Sequence, residues 1–228
     1  MEEGREMEKV KRISKKQCRL ARGRAKKIIE DLRKKVRDKY IFSDSLVGSG
    51  KWGTMMSDLN GEYDLDYQIL LTHNSKEYNK TKQKFDNPTK IKNDFYEAFD
   101  SIKNKHEKFE NSTTAITLKN SQDDKPFHID FVIIDPNKNQ IVRRNNKSEI
   151  LQKNEFTWNS LPSKHFDTFN NFKQFNSNDK RKLIEEKIIP AKAKEKRKSE
   201  NDPTKISSCE VFIKEINNYR RENERDKR

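Results

Sequence analysis

The sequence has few cysteines, few glycines and no long apolar run, and each shortage excludes a class of protein. Only 2 of the 228 residues are cysteine. Cys18 and Cys209 lie far apart without metal-type spacing, so we expect free thiols in a reducing compartment, by default the cytoplasm. No run approaches the roughly 18 apolar residues of a membrane span. MEEGREMEK, at the start of the chain, lacks the apolar core of a secretory signal.

Hydrophobic residues are also scarce, at 30% against 39% charged residues, which predicts a modest core. The net charge of +14 lies at the two flanks. Residues 1–40 hold 16 basic and 7 acidic residues, residues 179–228 hold 16 and 11, and residues 41–178 are balanced. Basic flanks suit a polyanion, so nucleic-acid contact through the N-terminal helix is one hypothesis. Ordinary solvated helix faces are the alternative, which we favour for most of these lysines.

Apolar periodicity predicts the elements. A helix is expected over residues 8–40, and residues 137–178 show weak periodicity. Strands are expected at 63–71, 113–118 and 127–134, and further helices at 89–105, 179–198 and 207–223, with a loop at 75–90 and a turn at 121–124. This order predicts an α+β fold with a helical C-terminal portion.

Three of the 6 glycines fall within GSGKWGT, residues 48–54. Glycines let backbone N–H groups approach phosphate oxygens closely. We therefore expect Gly48 and Ser49 to contact a nucleotide's phosphates, with the Ser49 hydroxyl donating to the terminal one. The stretch is not a Walker A loop, because it lacks the Gly-Lys-Ser/Thr ending and precedes an Asp-x-Asp strand.

Three aspartates complete the pattern. Side chains alternate along a strand, so Asp64 and Asp66 share one face of the first strand, and Asp130 interrupts the apolar strand FHIDFVII. A lone buried carboxylate is costly unless it is paired or binds metal. Three carboxylates with two Mg²⁺ ions, or Mn²⁺, form a site for phosphoryl transfer.

Together these motifs resemble those of the polymerase-β-like nucleotidyltransferases, and among them the bacterial CD-NTases, which are similar to cyclic GMP–AMP synthase and oligoadenylate synthetase. GSGKWGT followed by GEYDLD is similar to their Gly-Ser and Glu-Tyr-Asp-x-Asp motifs, FHIDFVI to their third-carboxylate strand, and TWNSLPSKHFDTFNNF to a segment before the C-terminal helices. The long N-terminal helix resembles their spine helix. The resemblance implies a mixed-sheet catalytic core with helices, preceded by that spine helix.

The resemblance also implies phosphate contacts from the C-terminal portion. It points to Lys192, with Lys187 as the rival register, and to Ser208, with Ser207 next to it. Cys209 stands where relatives often place an aromatic residue, and Pro190 interrupts the helix that should carry the lysine. The chain is short for the family, which leaves three interpretations open: a truncated piece, a compact member, or a domain that needs a partner.

The implied function is metal-dependent joining of nucleoside triphosphates into a cyclic or linear oligonucleotide second messenger, with release of pyrophosphate, in antiviral defence. A downstream effector would bind only the product. The alternatives are transfer to a tRNA or protein acceptor, and a nucleic-acid-binding module with an inactive core.

We expect three segments: the basic spine helix (1–45), the catalytic core (46–165) and the helical portion (166–228). We expect Lys51 to be a solvated loop lysine and His128 to flank the site without acting in it. Trp52 and Trp158 are expected to be packing residues.

Overall fold

The structure is a computed structural model that describes residues 10–72, 85, 87–120, 127–145, 155–161, 166–199 and 201–225. The chain divides into two compact units. The sheet unit consists of residues 15–47 and 64–161, and the helical unit of residues 1–14, 48–63 and 162–228. Both units are discontinuous in sequence. The division into three consecutive segments stays a prediction.

The helices and strands follow one another in a clear order. They are α1 (Lys15–Val36), β1 (Phe42–Val47), α2 (Gly48–Trp52), β2 (Tyr63–Leu71), α3 (Pro88–Ile102), β3 (Glu107–Asn111), β4 (Ala115–Asn120), β5 (Phe127–Asp135), β6 (Gln140–Arg144), β7 (Phe156–Ser160), α4 (Phe166–Gln174), α5 (Ser177–Lys182), a π-helical segment (Leu183–Ile188), α6 (Ile189–Lys196) and α7 (Ser208–Arg225).

One mixed sheet of seven strands runs through the described residues of the sheet unit. Strands β1, β2, β5, β4 and β3 are neighbours in that order, β6 pairs with β5, and β7 pairs with β6. The antiparallel registers place Val47 opposite Asp66, and Thr117 opposite Asp130. Because β2 and β5 are neighbours in the strand order, their acidic residues lie on adjacent strands.

The core of the sheet unit follows from two periodicities. Helix α1 buries residues at helical spacing, among them Ala21, Ala25, Ile28 and Leu32, and it contacts α3 and β5. Every second residue of β2 is buried from Tyr63 to Leu71. The ring of Phe131 on β5 lies 4.7 Å from that of Phe99 on α3. These contacts hold the central strands against the helices.

The helix predicted over residues 8–40 is wrong at both ends. Helix α1 begins at Lys15, and the segment before it is extended: Arg12 bridges Met56, and the Ile13 N–H donates to the Met55 carbonyl over 3.1 Å. Helix α1 ends at Val36, before β1 begins at Phe42. The apolar spacing of the N-terminal segment fitted a helix, but its pairing partner lies more than forty residues away.

Pro190 does not end the helical run that carries Lys192. A proline has no N–H to donate to the carbonyl four residues earlier. The segment before it winds as a π-helix, in which the Ile189 N–H donates to the Ile184 carbonyl, and Pro190 stands in the first turn of α6. The wider turn admits the proline. The interruption expected from the sequence is thus a change of helix type.

The core of the helical unit is aromatic and aliphatic. Its buried cluster draws on α4, the π-helical segment and α7, and consists of Phe172, Leu183, Ile188, Phe212, Ile216 and Tyr219. Trp52 packs against this cluster, with its ring stacked 6.0 Å from that of Phe212. Trp52 is therefore a packing residue, as expected.

Several strands were not predicted. Strands β1, β3, β6 and β7 are short, and β6 and β7 lie in the Asn- and Phe-rich stretch that lacked periodicity. The Trp158 side chain is half-buried, and its indole N–H donates to the Phe85 carbonyl over 2.6 Å, which is a structural contact within the sheet unit. The turn predicted at 121–124 and most of the loop at 75–90 lie outside the described residues.

The fold class is confirmed. A long N-terminal helix, a mixed sheet with helices and a set of C-terminal helices follow one another as the α+β prediction required. Among the described helices, none combines the length and the apolar character needed to cross a bilayer.

Candidate active site

The strand β2 presents two carboxylates on one face. Asp64 is exposed and Asp66 is half-buried, while their neighbours Tyr63, Leu65 and Tyr67 are buried. The two-residue alternation of a strand therefore works as the sequence predicted. The apolar face anchors the strand in the core, and the acidic face is left for other groups.

Asp130 lies on the corresponding face of β5. Its carboxylate accepts a hydrogen bond from the Thr117 hydroxyl of β4 over 2.5 Å. Burial, opposed by this hydrogen bond, raises the pKa of Asp130 above its usual value, and the negative charge of Asp64 raises it further. The contact with Thr117 was missed from the sequence, because only the strand register places the two residues opposite each other.

His128 joins the acidic faces of the two strands. It lies two residues before Asp130 on the same face of β5, and its Nδ1 is 3.5 Å from an Asp64 carboxylate oxygen. The contact shows that Asp64 and the Asp130 face lie on the same side of the sheet. His128 was expected to flank the acidic residues, and it does so.

The donor chemistry fits Mg²⁺, which prefers carboxylate oxygens. The positions of the described side chains, however, do not form a complete set of metal ligands. In the described ranges, no group of three or more His, Cys, Asp or Glu residues is spaced so as to hold a metal ion. The roles of Asp64, Asp66 and Asp130 as metal ligands therefore stay predictions.

A buried lysine that the sequence analysis did not identify lies in the sheet unit, which also contains the three aspartates. Lys92 on α3 is fully buried, and its ammonium donates to the Thr114 carbonyl over 2.7 Å. Burial lowers the pKa of Lys92 to about 7, the charge of Arg144 lowers it too, and the charge of Asp130 opposes both. The apolar spacing of α3 alone would have indicated an aliphatic residue at this position.

The glycine-rich stretch forms a short helix that ends in a tight turn. Helix α2 begins at Gly48, whose φ is 59°, and the turn after it places Gly53 at φ 69°. The Thr54 N–H then donates to the Ser49 carbonyl over 3.0 Å. The bond runs from the residue after a glycine of positive φ to the carbonyl five residues earlier, which is the Schellman motif at the end of a helix. Gly53 is thus needed for its backbone conformation. The sequence had suggested instead that the glycines of this stretch let backbone N–H groups approach phosphate oxygens closely.

We expect Gly53→Ala to lower the free energy of unfolding by about 1–2 kcal/mol, because an L-residue is strained at this positive φ. The cause is conformational, since a Cβ built on Gly53 meets nothing within 4 Å. Urea denaturation monitored by circular dichroism measures the change.

Gly23 provides a matched control for that substitution. It lies within α1, and a Cβ there also meets nothing within 4 Å. Gly23→Ala is expected to raise the free energy of unfolding by about 0.5–1 kcal/mol, since alanine favours helices. A loss of stability at Gly23, or a neutral effect at Gly53, would contradict this explanation.

Lys192 lines a pocket in the helical unit. The pocket has a volume of about 170 Å³, and its lining residues are Asp58, Lys192, Glu195, Lys196, Lys205, Ile206, Ser207, Ser208 and Val211. The Lys192 ammonium donates to the Thr54 hydroxyl over 3.0 Å. Lys187, the rival register, is instead 3.4 Å from Glu222 and is not among the lining residues.

The two serines at the start of α7 differ in their surroundings. The Ser207 hydroxyl accepts from the Glu210 N–H over 3.2 Å, and the Glu210 carboxylate accepts from the Ser207 N–H over 2.7 Å. This reciprocal capping box could have been found from the Ser-x-x-Glu spacing. Ser208 is exposed on the pocket wall. The roles of Lys192 and Ser208 in phosphate binding stay predictions.

Solved structures with a similar fold were found by comparison. CdnE, a STING-associated c-di-GMP synthase from Capnocytophaga granulosa, has a TM-score of 0.54 at 16% identity, covering 90% of this chain and 60% of that one. Escherichia coli DncV bound to 3′-deoxy GTP has a TM-score of 0.52 at 14% identity, covering 92% and 54%. Escherichia coli MS115-1 CdnC with ATP has a TM-score of 0.51 at 16% identity, covering 93% and 63%.

No protein-family model matches the sequence, and a comparison with curated proteins finds no match. The chain spans between 54% and 63% of the length of the three solved structures above. At such low identity the likeness concerns the fold. In its fold, this chain is structurally related to the bacterial CD-NTases.

Proposed function

We propose that this chain is a nucleotidyltransferase of the CD-NTase type, which joins nucleoside triphosphates and releases pyrophosphate. The observation that carries the proposal is the shared acidic face of β2 and β5, where His128 beside Asp130 contacts Asp64. Similar folds hold ATP in CdnC and 3′-deoxy GTP in DncV. Carboxylates on a shared face are suited to metal-assisted phosphoryl transfer.

The carboxylates have distinct roles in this proposal. Asp64 and Asp66 would hold both Mg²⁺ ions, and Asp130 would hold one of them or accept the proton of the attacking ribose hydroxyl. The metal, when bound, would supply charge compensation for the triphosphate and a more acidic hydroxyl. The Thr117 hydroxyl fixes the Asp130 carboxylate through the 2.5 Å hydrogen bond, so that the proton acceptor stays in one orientation.

The phosphates would be bound by Gly48, Ser49, Lys192 and Ser208. Ligand pockets usually measure about 300–1,000 Å³. The pocket at Lys192, of about 170 Å³, is smaller, which suits the phosphate chain of a nucleotide and not the whole molecule. Lys192, Lys196 and Lys205 supply positive charge there. Two acidic residues of the wall are engaged elsewhere, since Glu195 pairs with Lys198 and Asp58 accepts from the Asn60 N–H.

The product we propose is a cyclic or linear oligonucleotide that acts as a second messenger in antiviral defence. The protein would act in the cytoplasm, and a downstream effector would bind only that product. CdnE, a protein of similar fold, is a c-di-GMP synthase.

The test is incubation of the chain with the four radiolabelled nucleoside triphosphates and Mg²⁺ or Mn²⁺, followed by phosphatase treatment. The matched control is Asp64→Asn/Asp66→Asn, which keeps the size of both side chains and removes their charge. A small phosphatase-resistant product from the wild type, absent with the control, is the expected result.

Other outcomes point to the alternatives. Labelling of added tRNA or protein, without a small product, would identify a macromolecular acceptor. Binding of duplex RNA or DNA that weakens steeply with salt, without any turnover of triphosphates, would replace the proposal with a nucleic-acid-binding module.

A further inference from the structure

The extended segment before α1 is fixed to the chain that follows the glycine-rich turn. The Lys11 N–H donates to the Ser57 hydroxyl over 3.0 Å, and the Ser57 N–H donates to the Lys11 carbonyl over 2.8 Å. Arg12 lies within this pairing, opposite Met56. Its side chain therefore starts from a backbone that hydrogen bonds hold on both sides.

The Arg12 guanidinium makes contacts in two directions. Its Nη1 lies 2.7 and 2.6 Å from the two carboxylate oxygens of Glu185, on the π-helical segment. Its Nη2 donates to the Gly53 carbonyl over 3.0 Å. The planar fork of arginine can hold both acceptors at once, which the single ammonium of a lysine cannot do in the same way.

The contacted carbonyl belongs to the peptide that closes the glycine-rich turn. The carbonyl of the Gly53–Thr54 peptide accepts from Arg12, and the N–H of the same peptide donates to the Ser49 carbonyl. A peptide is planar, so holding both of its polar groups fixes its orientation. Arg12 therefore restrains the peptide that is hydrogen-bonded to Ser49, the residue for which a phosphate contact is proposed.

The same turn is attached to one helical run at a second point. Lys192 on α6 donates to the Thr54 hydroxyl, and Glu185 precedes it by two turns of the run. Arg12 connects Glu185 to Gly53. The turn and the proposed phosphate lysine are thus held in a common frame within the helical unit.

We propose that Arg12 is a positioning residue that orients the turn of residues 48–54 for the phosphates of a nucleoside triphosphate. The inference rests on the proposed function. A role in overall stability is small, because the side chains of Arg12 and Glu185 are 40% and 47% exposed, and exposed ion pairs contribute about 0–1 kcal/mol.

The test compares Arg12→Lys and Arg12→Ala with the wild type in hydrogen exchange and in kinetics. Faster exchange of the Thr54 amide is expected in both variants, with the melting temperature unchanged. The KM for nucleoside triphosphate is expected to rise about fivefold to tenfold, since ordering of the turn must then accompany binding, with kcat within about twofold. Arg33→Lys, at the exposed ion pair with Asp44, is the matched control and should leave both readouts unchanged.

The charge-reversed pair Arg12→Glu/Glu185→Arg separates the two contacts. It restores an ion pair but places no donor at position 12 for the Gly53 carbonyl, so Thr54 exchange and KM should stay raised. Recovery of both values in this pair, or unchanged Thr54 exchange in Arg12→Ala, would overturn the proposal. Faster exchange throughout the chain with a lower melting temperature would also overturn it. If the wild type joins no nucleotides, the proposed function fails, while Thr54 exchange still decides whether Arg12 holds the turn.

Discussion

Asp130→Asn is expected to lower nucleotide joining by at least about a hundredfold while making the metal-free protein more stable at neutral pH. The substitution keeps the shape and the acceptor for the Thr117 hydroxyl, but it removes a charge that burial and Asp64 disfavour. Because the folded-state pKa of Asp130 is raised, its ionisation destabilises the folded protein as the pH rises above the unfolded value. The stability difference should therefore be small near pH 4 and larger at pH 7.

Thermal denaturation in EDTA at several pH values, together with product formation, measures both effects. Thr117→Val is the control, since it removes the hydrogen bond that lowers the Asp130 pKa and keeps the carboxylate. It should reduce activity less than Asp130→Asn. Full activity in Asp130→Asn would exclude Asp130 as a ligand or base, and lower stability at pH 7 would contradict the electrostatic argument.

Arg24→Ala should give the largest loss of stability, about 3–5 kcal/mol in the free energy of unfolding. Arg24 on α1 donates from Nε and Nη2 to both carboxylate oxygens of Glu107, each over 2.5 Å. The Glu107 side chain is 0% exposed. Removing the guanidinium leaves a buried carboxylate whose remaining hydrogen bond, from the Asn104 N–H, is 3.0 Å long.

The double variant Arg24→Met/Glu107→Leu distinguishes a buried unpaired charge from lost packing. Replacing both partners by apolar residues of similar volume is often neutral or stabilising. We therefore expect the double variant to be more stable than Arg24→Ala in urea denaturation. Equal losses in the two proteins would indicate that the packing of α1 against the sheet unit, and not the charge, determines the effect.

The elements that alternate strongly could be predicted from the sequence. Strand β2 was predicted with both of its boundaries, and β5 extends one residue beyond the prediction. Their apolar residues repeat at every second position, and an aspartate in such a pattern is conspicuous. The alternation also placed Asp64 and Asp66 on one face, because it depends only on the strand itself.

Features that depend on distant partners could not be predicted in the same way. The apolar residues of the N-terminal segment fit a helix, but pairing with residues 55–57 makes the segment extended. The orientation of Asp130 depends on the register between β4 and β5. Arg12 resembled many other basic residues of the flank, and no local pattern indicates its contact with Gly53. Sequence periodicity reports burial, whereas these contacts depend on tertiary packing.

Binding of Mn²⁺ in the presence of a non-hydrolysable ATP analogue, followed by electron paramagnetic resonance, tests whether Asp64, Asp66 and Asp130 bind the metal ions of a nucleotidyltransferase. We predict that the wild type binds Mn²⁺, that Asp64→Asn/Asp66→Asn loses this binding, and that Thr117→Val retains it. Equal Mn²⁺ binding by the wild type and the double variant would show that these carboxylates are not the metal ligands and would contradict the account.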